Sequence, residues 1–251
     1  MKSSKIKFTS LLLTFALTTM VTVACSQDTT KPAETSTTTE VDAKTAEIKT
    51  MTGEELVNQN SDKKKDEVII IDVRSSEEYK AGHIPNAINI NVDELENRLN
   101  EIEDYKNKPI ITYCNTGNKS GKASEILVNN GFQDVTNAQD VKEFEYDLVQ
   151  YEDVRGAAFQ TFIDENKDTV LVDVRPAKQV KEEGMIEGAI NVPFDEVEDH
   201  LDQLPKDKTI GLYCNTGTKS AEVAKQLEGL GYEKIVNSIE GVKEHSFSLE
   251  K

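Results

Sequence analysis

Cysteine, basic residues and long apolar runs are all scarce in this chain, and each shortage removes a class of protein. Only Cys25, Cys114 and Cys214 occur among 251 residues, so no disulfide framework holds the fold together. Paired CxxC motifs are missing, and His83, His200 and His245 form no cluster in sequence, which argues against a metal centre. No cofactor is implied. Lysine and arginine number 29 against 46 acidic residues, and the resulting net charge of −17 argues against nucleic acid as a partner. Apolar residues make up only 37%, so part of the chain should lie outside any core. Tryptophan is absent, which excludes nothing.

One apolar stretch, Leu11 to Ala24, follows Lys2, Lys5 and Lys7 and is interrupted by threonines. It is short for a spanning helix, which needs about 20 mostly apolar residues, and residues 1–24 read as an export signal. The stretch ends Thr22-Val23-Ala24-Cys25, which resembles the lipobox of bacterial lipoproteins, although Thr22 stands where an aliphatic residue is usual. That resemblance implies cleavage before Cys25, lipidation of its thiol and an extracytoplasmic, membrane-anchored protein facing the cell surface or periplasm. Ser26 to about Thr45 is rich in Thr, Ser, Glu, Lys and Pro and reads as a flexible tether, giving a linker over residues 25–45.

The rest of the chain is written twice. Tyr113-Cys114-Asn115-Thr116-Gly117-Asn118-Lys119-Ser120 returns as Tyr213-Cys214-Asn215-Thr216-Gly217-Thr218-Lys219-Ser220. Each copy follows an apolar run read as a buried strand and precedes a helical pattern (Ala123, Ile126, Leu127; Ala221, Ala224, Leu227). Each cysteine therefore belongs on a tight loop between strand and helix, where backbone N–H groups and the helix dipole favour a thiolate. Asp72-Val73-Arg74 and Asp173-Val174-Arg175 end matching apolar strands, and the two aspartates lie 101 positions apart against 100 for the cysteines. A period of that length is a duplicated domain rather than a solenoid unit. Alternating strands and helices predict two α/β domains with mainly parallel sheets, over residues 46–150 and 151–251. Thr52-Gly53-Glu54-Glu55 predicts a capped helix start. Lys63-Lys64-Lys65 reads as a solvated turn, and residues 92–99 as a helix. His83 reads as a turn residue with a satisfied ring; the second copy has Met185 there.

Asp-Val-Arg after a strand, Gly82-His83-Ile84-Pro85-Asn86-Ala87-Ile88-Asn89, and the Cys-x-x-Gly-x-x-Ser loop, in this order and twice, resemble the rhodanese (sulfurtransferase) family over roughly 46–148 and 154–249. The resemblance implies that Cys114 and Cys214 accept sulfane sulfur from a donor such as thiosulfate or a persulfide and pass it to a thiol or cyanide. It implies that the amides of 115–120 and 215–220 cradle the sulfur anion and that the Ser120 and Ser220 side chains bond to it. Asp72, Arg74, Asp173 and Arg175 are expected to be structural. Family loops often carry arginine at the second or sixth position, where this chain has Asn115 and Lys119, or Asn215 and Lys219. The closing Gly-Gly and Trp are replaced by Gln139-Asp140 with Phe144, and by Glu240-Gly241 with His245. Two other classes stay open: a non-catalytic binding or redox-sensing module, and a cysteine phosphatase, whose loop is one residue longer and ends in arginine to grip phosphate bidentately.

Overall fold

The computed structural model describes residues 46–251. The export segment, Cys25 and the tether lie outside the described residues. The first repeat runs β1 (Lys49–Met51), α1 (Gly53–Gln59), β2 (Ile69–Asp72), α2 (Ser76–Ala81), β3 (Ala87–Asn89), β4 (Pro109–Tyr113), α3 (Asn118–Asn129) and β5 (Asp134–Ala138). Its five strands are all parallel, in the order β1-β5-β4-β2-β3. The second repeat begins with β6 (Glu152–Val154), α4 (Gly156–Glu165), β7 (Val170–Asp173), α5 (Ala177–Glu183) and β8 (Met185–Ile186). It continues with β9 (Ile190–Asn191), β10 (Ile210–Tyr213), α6 (Thr218–Gly229), β11 (Ile235–Ser238) and β12 (Leu249–Glu250). A second parallel sheet, β6-β11-β10-β7-β9, repeats the first order, and β12 pairs antiparallel with β8.

The strands are apolar on both faces because helices cover both. Ile69, Ile71 and Val73 feed one core together with Cys114, Ala123 and Leu127. The intervening Ile70 joins Leu56, Ile111 and Tyr113 on the opposite face. Alternation of this kind turns a continuous β-branched run into a doubly covered strand. The second sheet divides likewise, with Val172, Leu212 and Cys214 on one face and Leu171, Tyr213 and Phe247 on the other. Thr52 caps α1 as its spacing predicts, its hydroxyl accepting from Glu55 N while the Glu55 carboxylate accepts from Thr52 N.

Three expectations need correction. Residues 92–99 do not form an α-helix; 3₁₀ turns occupy Leu95–Asn97 and Leu99–Tyr105. The Asn91 side chain accepts from Asp93 N (3.0 Å), a local turn that competes with helix initiation. The lysine run lies in a 3₁₀ segment, Asp62–Glu67, and Lys65 is buried rather than solvated. Its ammonium donates to Thr216 O (2.6 Å) in the second repeat and pairs with Asp66. Nor is the His83 ring satisfied. Nδ1 lies 3.1 Å from Tyr79 O, but buried Nε2 has no hydrogen-bond partner among the described residues and sits 3.8 Å from Asp153 Oδ2. Stacking on Tyr79, with centroids 3.7 Å apart, fixes the ring in that orientation.

Both repeats belong to one compact unit, and their edge strands β3 and β6 meet. The Tyr79 hydroxyl donates to Ala87 O (2.9 Å) on β3 and accepts from Asp153 N (3.0 Å) on β6. The buried Asp153 carboxylate accepts from Asn86 N (2.6 Å) and from Asn237 Nδ2 (2.7 Å), tying both repeats to one side chain.

Candidate active site

Each loop cysteine sits one residue beyond the central strand of its sheet. Gly117 (φ 79°) and Gly217 (φ 78°) then turn the chain into α3 and α6 in the left-handed region that glycine tolerates. A Cβ on Gly217 would also lie 2.3 Å from Ile239 O, so the close packing demands glycine twice over. Among the described residues, no protein acceptor takes the amide hydrogens of 115–120 or 215–220. Six successive N–H groups at a helix start are thus free for an anion held at the sulfur. Ser120 Oγ lies 3.4 Å from Cys114 Sγ, and Ser220 Oγ 3.6 Å from Cys214 Sγ. Both cysteines are free thiols.

Behind the loops lie the two aspartate and arginine pairs. Asp173 and Arg175 are almost fully buried; the guanidinium Nε and Nη2 grip both carboxylate oxygens (2.6–3.0 Å), and Nη2 also donates to Gly184 O (2.6 Å). Nη1 donates to Glu183 (3.0 Å). Arg74 repeats this arrangement with Asp72, Gly82 O and, through Nη1, Asn115 Oδ1 (3.3 Å). Most guanidinium donors are therefore already engaged by protein acceptors. Burial first, then the Asp72 charge, pushes the Tyr113 hydroxyl far up, so it stays a neutral donor to Asp72 (2.8 Å). Burial and Asp173 do the same for Tyr213.

The loop lysines are not equivalent. Lys119 lies 3.8 Å from Glu78, whereas Lys219 pairs with Glu222 (2.7 Å) and stands over the Phe194 ring, 4.7 Å from its centroid. The Ser75 amide, chief among several donors and cations, holds Glu78 below the usual carboxylate range, against a smaller opposing effect of burial. A cavity of about 290 Å³ opens over Cys214, bounded by Arg175, Gln179, Phe194 and the loop itself. A larger one, about 1310 Å³, follows the seam between the repeats and touches neither cysteine. Phe144 packs against Gly53 and His245 against Gly156, each at less than 2.6 Å from where a Cβ would stand, so these rings leave no room for a side chain at either glycine.

The family model of the rhodanese-like domain matches residues 53–140 and again residues 157–246. The chain belongs to the rhodanese-like family. A stretch of 73 residues is 41% identical to the thiosulfate sulfurtransferase PspE of Escherichia coli (strain K12), covering 29% of this chain and 70% of that protein. The tRNA uridine(34) hydroxylase of Cytophaga hutchinsonii is 37% identical over 76 residues, but this chain spans only 24% of its length and the match 29% of this chain. A solved rhodanese with anions from E. coli is 37% identical and covers 33% of this chain and 98% of its own, with a TM-score of 0.31.

Two features of the site escape a reading of the sequence. Asp140, noted there only as a departure from the closing glycines, turns its carboxylate to Cys114 Sγ, with Oδ1 at 3.6 Å. Gln179 bonds the Asn215 amide (2.8 and 3.2 Å), where Glu78 bonds that of Asn115 in the first repeat. Superimposing the two copies residue by residue would have flagged both.

Proposed function

We propose that the protein is an exported sulfurtransferase or persulfide carrier, anchored by a lipid on Cys25, whose loop cysteines carry sulfane sulfur. What carries the reading is a thiol at the centre of a loop with six unused backbone donors and a serine hydroxyl, repeated in both halves. In the first step the Cys214 thiolate attacks the outer sulfur of thiosulfate. A Cys–S–S⁻ persulfide forms as the donor's S–S bond breaks, and sulfite leaves with the electron pair. Cyanide or a thiolate then attacks the terminal sulfur and leaves as thiocyanate or a new persulfide, restoring the cysteine thiolate. The unused amides of 215–220, backed by Ser220, would stabilise the anionic sulfur in both states. Cys114 with Asn115–Ser120 would offer the same chemistry in the first repeat. Physiological acceptors would be reached from a membrane surface, at the end of the 25–45 tether.

Thiosulfate-to-cyanide transfer by the wild type and by Cys114→Ser, Cys214→Ser and the double variant tests the reading. Activity lost in the double variant supports it. Turnover of an aryl phosphate would instead favour the phosphatase class, and no turnover of either would favour a binding or redox-sensing module.

A further inference from the structure

We propose that Glu78 and Asp140 make the two loops unequal acceptors, so that anionic sulfur donors load Cys214 and are turned away from Cys114. The inference rests on the reading of both loop cysteines as sulfur acceptors and assigns anionic donors to Cys214.

The equivalence of positions is set by the backbone. Val141 N donates to Cys114 O (3.2 Å) and Val242 N to Cys214 O (3.0 Å), so the preceding residues, Asp140 and Gly241, occupy matching places. Asp140 is buried, and its Oδ1 accepts from the Cys114 thiol while Oδ2 stands 3.2 Å from where a Gly117 Cβ would be. It thus fills the space beside the sulfur and the loop glycine. Gly241 has no such option: a Cβ there would lie 2.1 Å from the Asn215 carbonyl carbon and 2.4 Å from Cys214 O. The second substitution works in the same sense. Glu78 bonds the Asn115 side chain and faces Lys119; its counterpart Gln179 exchanges hydrogen bonds with Asn215 and carries no charge. Other charged groups near the second loop are engaged: Glu183 with Arg175, Glu222 with Lys219, and Glu244 with the Gly241 amide (3.2 Å), while Lys65, paired with Asp66, sets a buried cation on Thr216 O (2.6 Å).

A thiosulfate dianion approaching Cys114 meets the buried Asp140 carboxylate against the sulfur, where like charges repel strongly, and a second carboxylate, the half-exposed Glu78 facing Lys119, on the loop's flank. The same donor approaching Cys214 meets neither. A difference on the order of tenfold in loading rate follows, chiefly from the buried Asp140 charge.

The test follows sulfur and charge separately. Intact mass after timed exposure to thiosulfate should show one added sulfur on Cys114→Ser, and loading slower by about tenfold on Cys214→Ser. Glu78→Gln with Asp140→Asn, added to Cys214→Ser, should recover fast loading, as should Asp140→Gly, which copies the second repeat. Alkylation gives a readout independent of sulfur transfer: iodoacetate, an anion, should lag neutral iodoacetamide more at Cys114 than at Cys214. Equal loading of both loops, or no recovery in folded charge-neutral variants, overturns the inference and leaves the acceptor reading intact. Sulfur on no variant overturns the acceptor reading, and equal iodoacetate-to-iodoacetamide ratios then overturn the charge argument too.

Discussion

Arg175→Ala should unfold the second repeat's strand end rather than disable its chemistry. The side chain is almost fully buried and neutralises Asp173, itself inaccessible, through three hydrogen bonds of 2.6–3.0 Å. Truncation leaves that carboxylate with the Arg175 amide (2.9 Å) and no cation, and leaves Gly184 O without its 2.6 Å donor. Removing one partner of a buried pair costs about 3–5 kcal/mol, a large share of the roughly 5–15 kcal/mol that domains possess. With a urea slope of about 2 kcal/mol per molar, the unfolding midpoint should fall by roughly 1.5–2.5 M. Asp173→Ala in the same background should add little, because the pair acts as a unit; the coupling should exceed about 1 kcal/mol. Sulfur loading per folded molecule should be unchanged, since the guanidinium's donors are spent on protein. A midpoint shift below about 0.5 M, or loading lost from folded protein, would refute the structural assignment.

Other consequences are as specific. Gly217→Ala meets a left-handed backbone and an Ile239 carbonyl at 2.3 Å, so it should cost about 1–3 kcal/mol by thermal or urea unfolding and slow loading of Cys214. Tyr79→Phe deletes the hydroxyl between β3 and β6 and strands Asp153 N and Ala87 O. A loss of about 1–3 kcal/mol and faster hydrogen exchange at the Asp153 amide are expected. Burial, then the Asp66 charge, raises the Glu244 pKa above its ordinary 4.5. A carboxyl raised in the folded state favours folding below the unfolded value and penalises it as pH climbs through the folded one. Glu244→Gln should therefore raise the unfolding midpoint at pH 7 and leave it unchanged near pH 4; the same gain at both values would contradict this.

Much of the fold was legible because duplication repeats its own signals. The β-branched run 68–73, the cysteine loops and the helix patterns after them mark the parallel strands and strand–loop–helix units that the structure contains. Local chemistry also located the capped start of α1. What escaped depends on partners distant in sequence. Lys65 looks like a solvated charge until Thr216, 151 residues away, offers its carbonyl. His83 looks satisfied until Tyr79 and Asp153 fix its ring at the seam. Asp140 reads as an eroded glycine until the loop places it beside Cys114. The 92–99 segment misled for a local reason, an Asn91 side chain that competes for the backbone.

The most direct measurement is the mass of the protein after incubation with thiosulfate, followed by peptide mapping and then a reductant. The account predicts a gain of about 32 Da, one sulfur atom, on the peptide carrying Cys214, removed by the reductant. No gain, with Cys114 and Cys214 both shown to be free thiols, would contradict it.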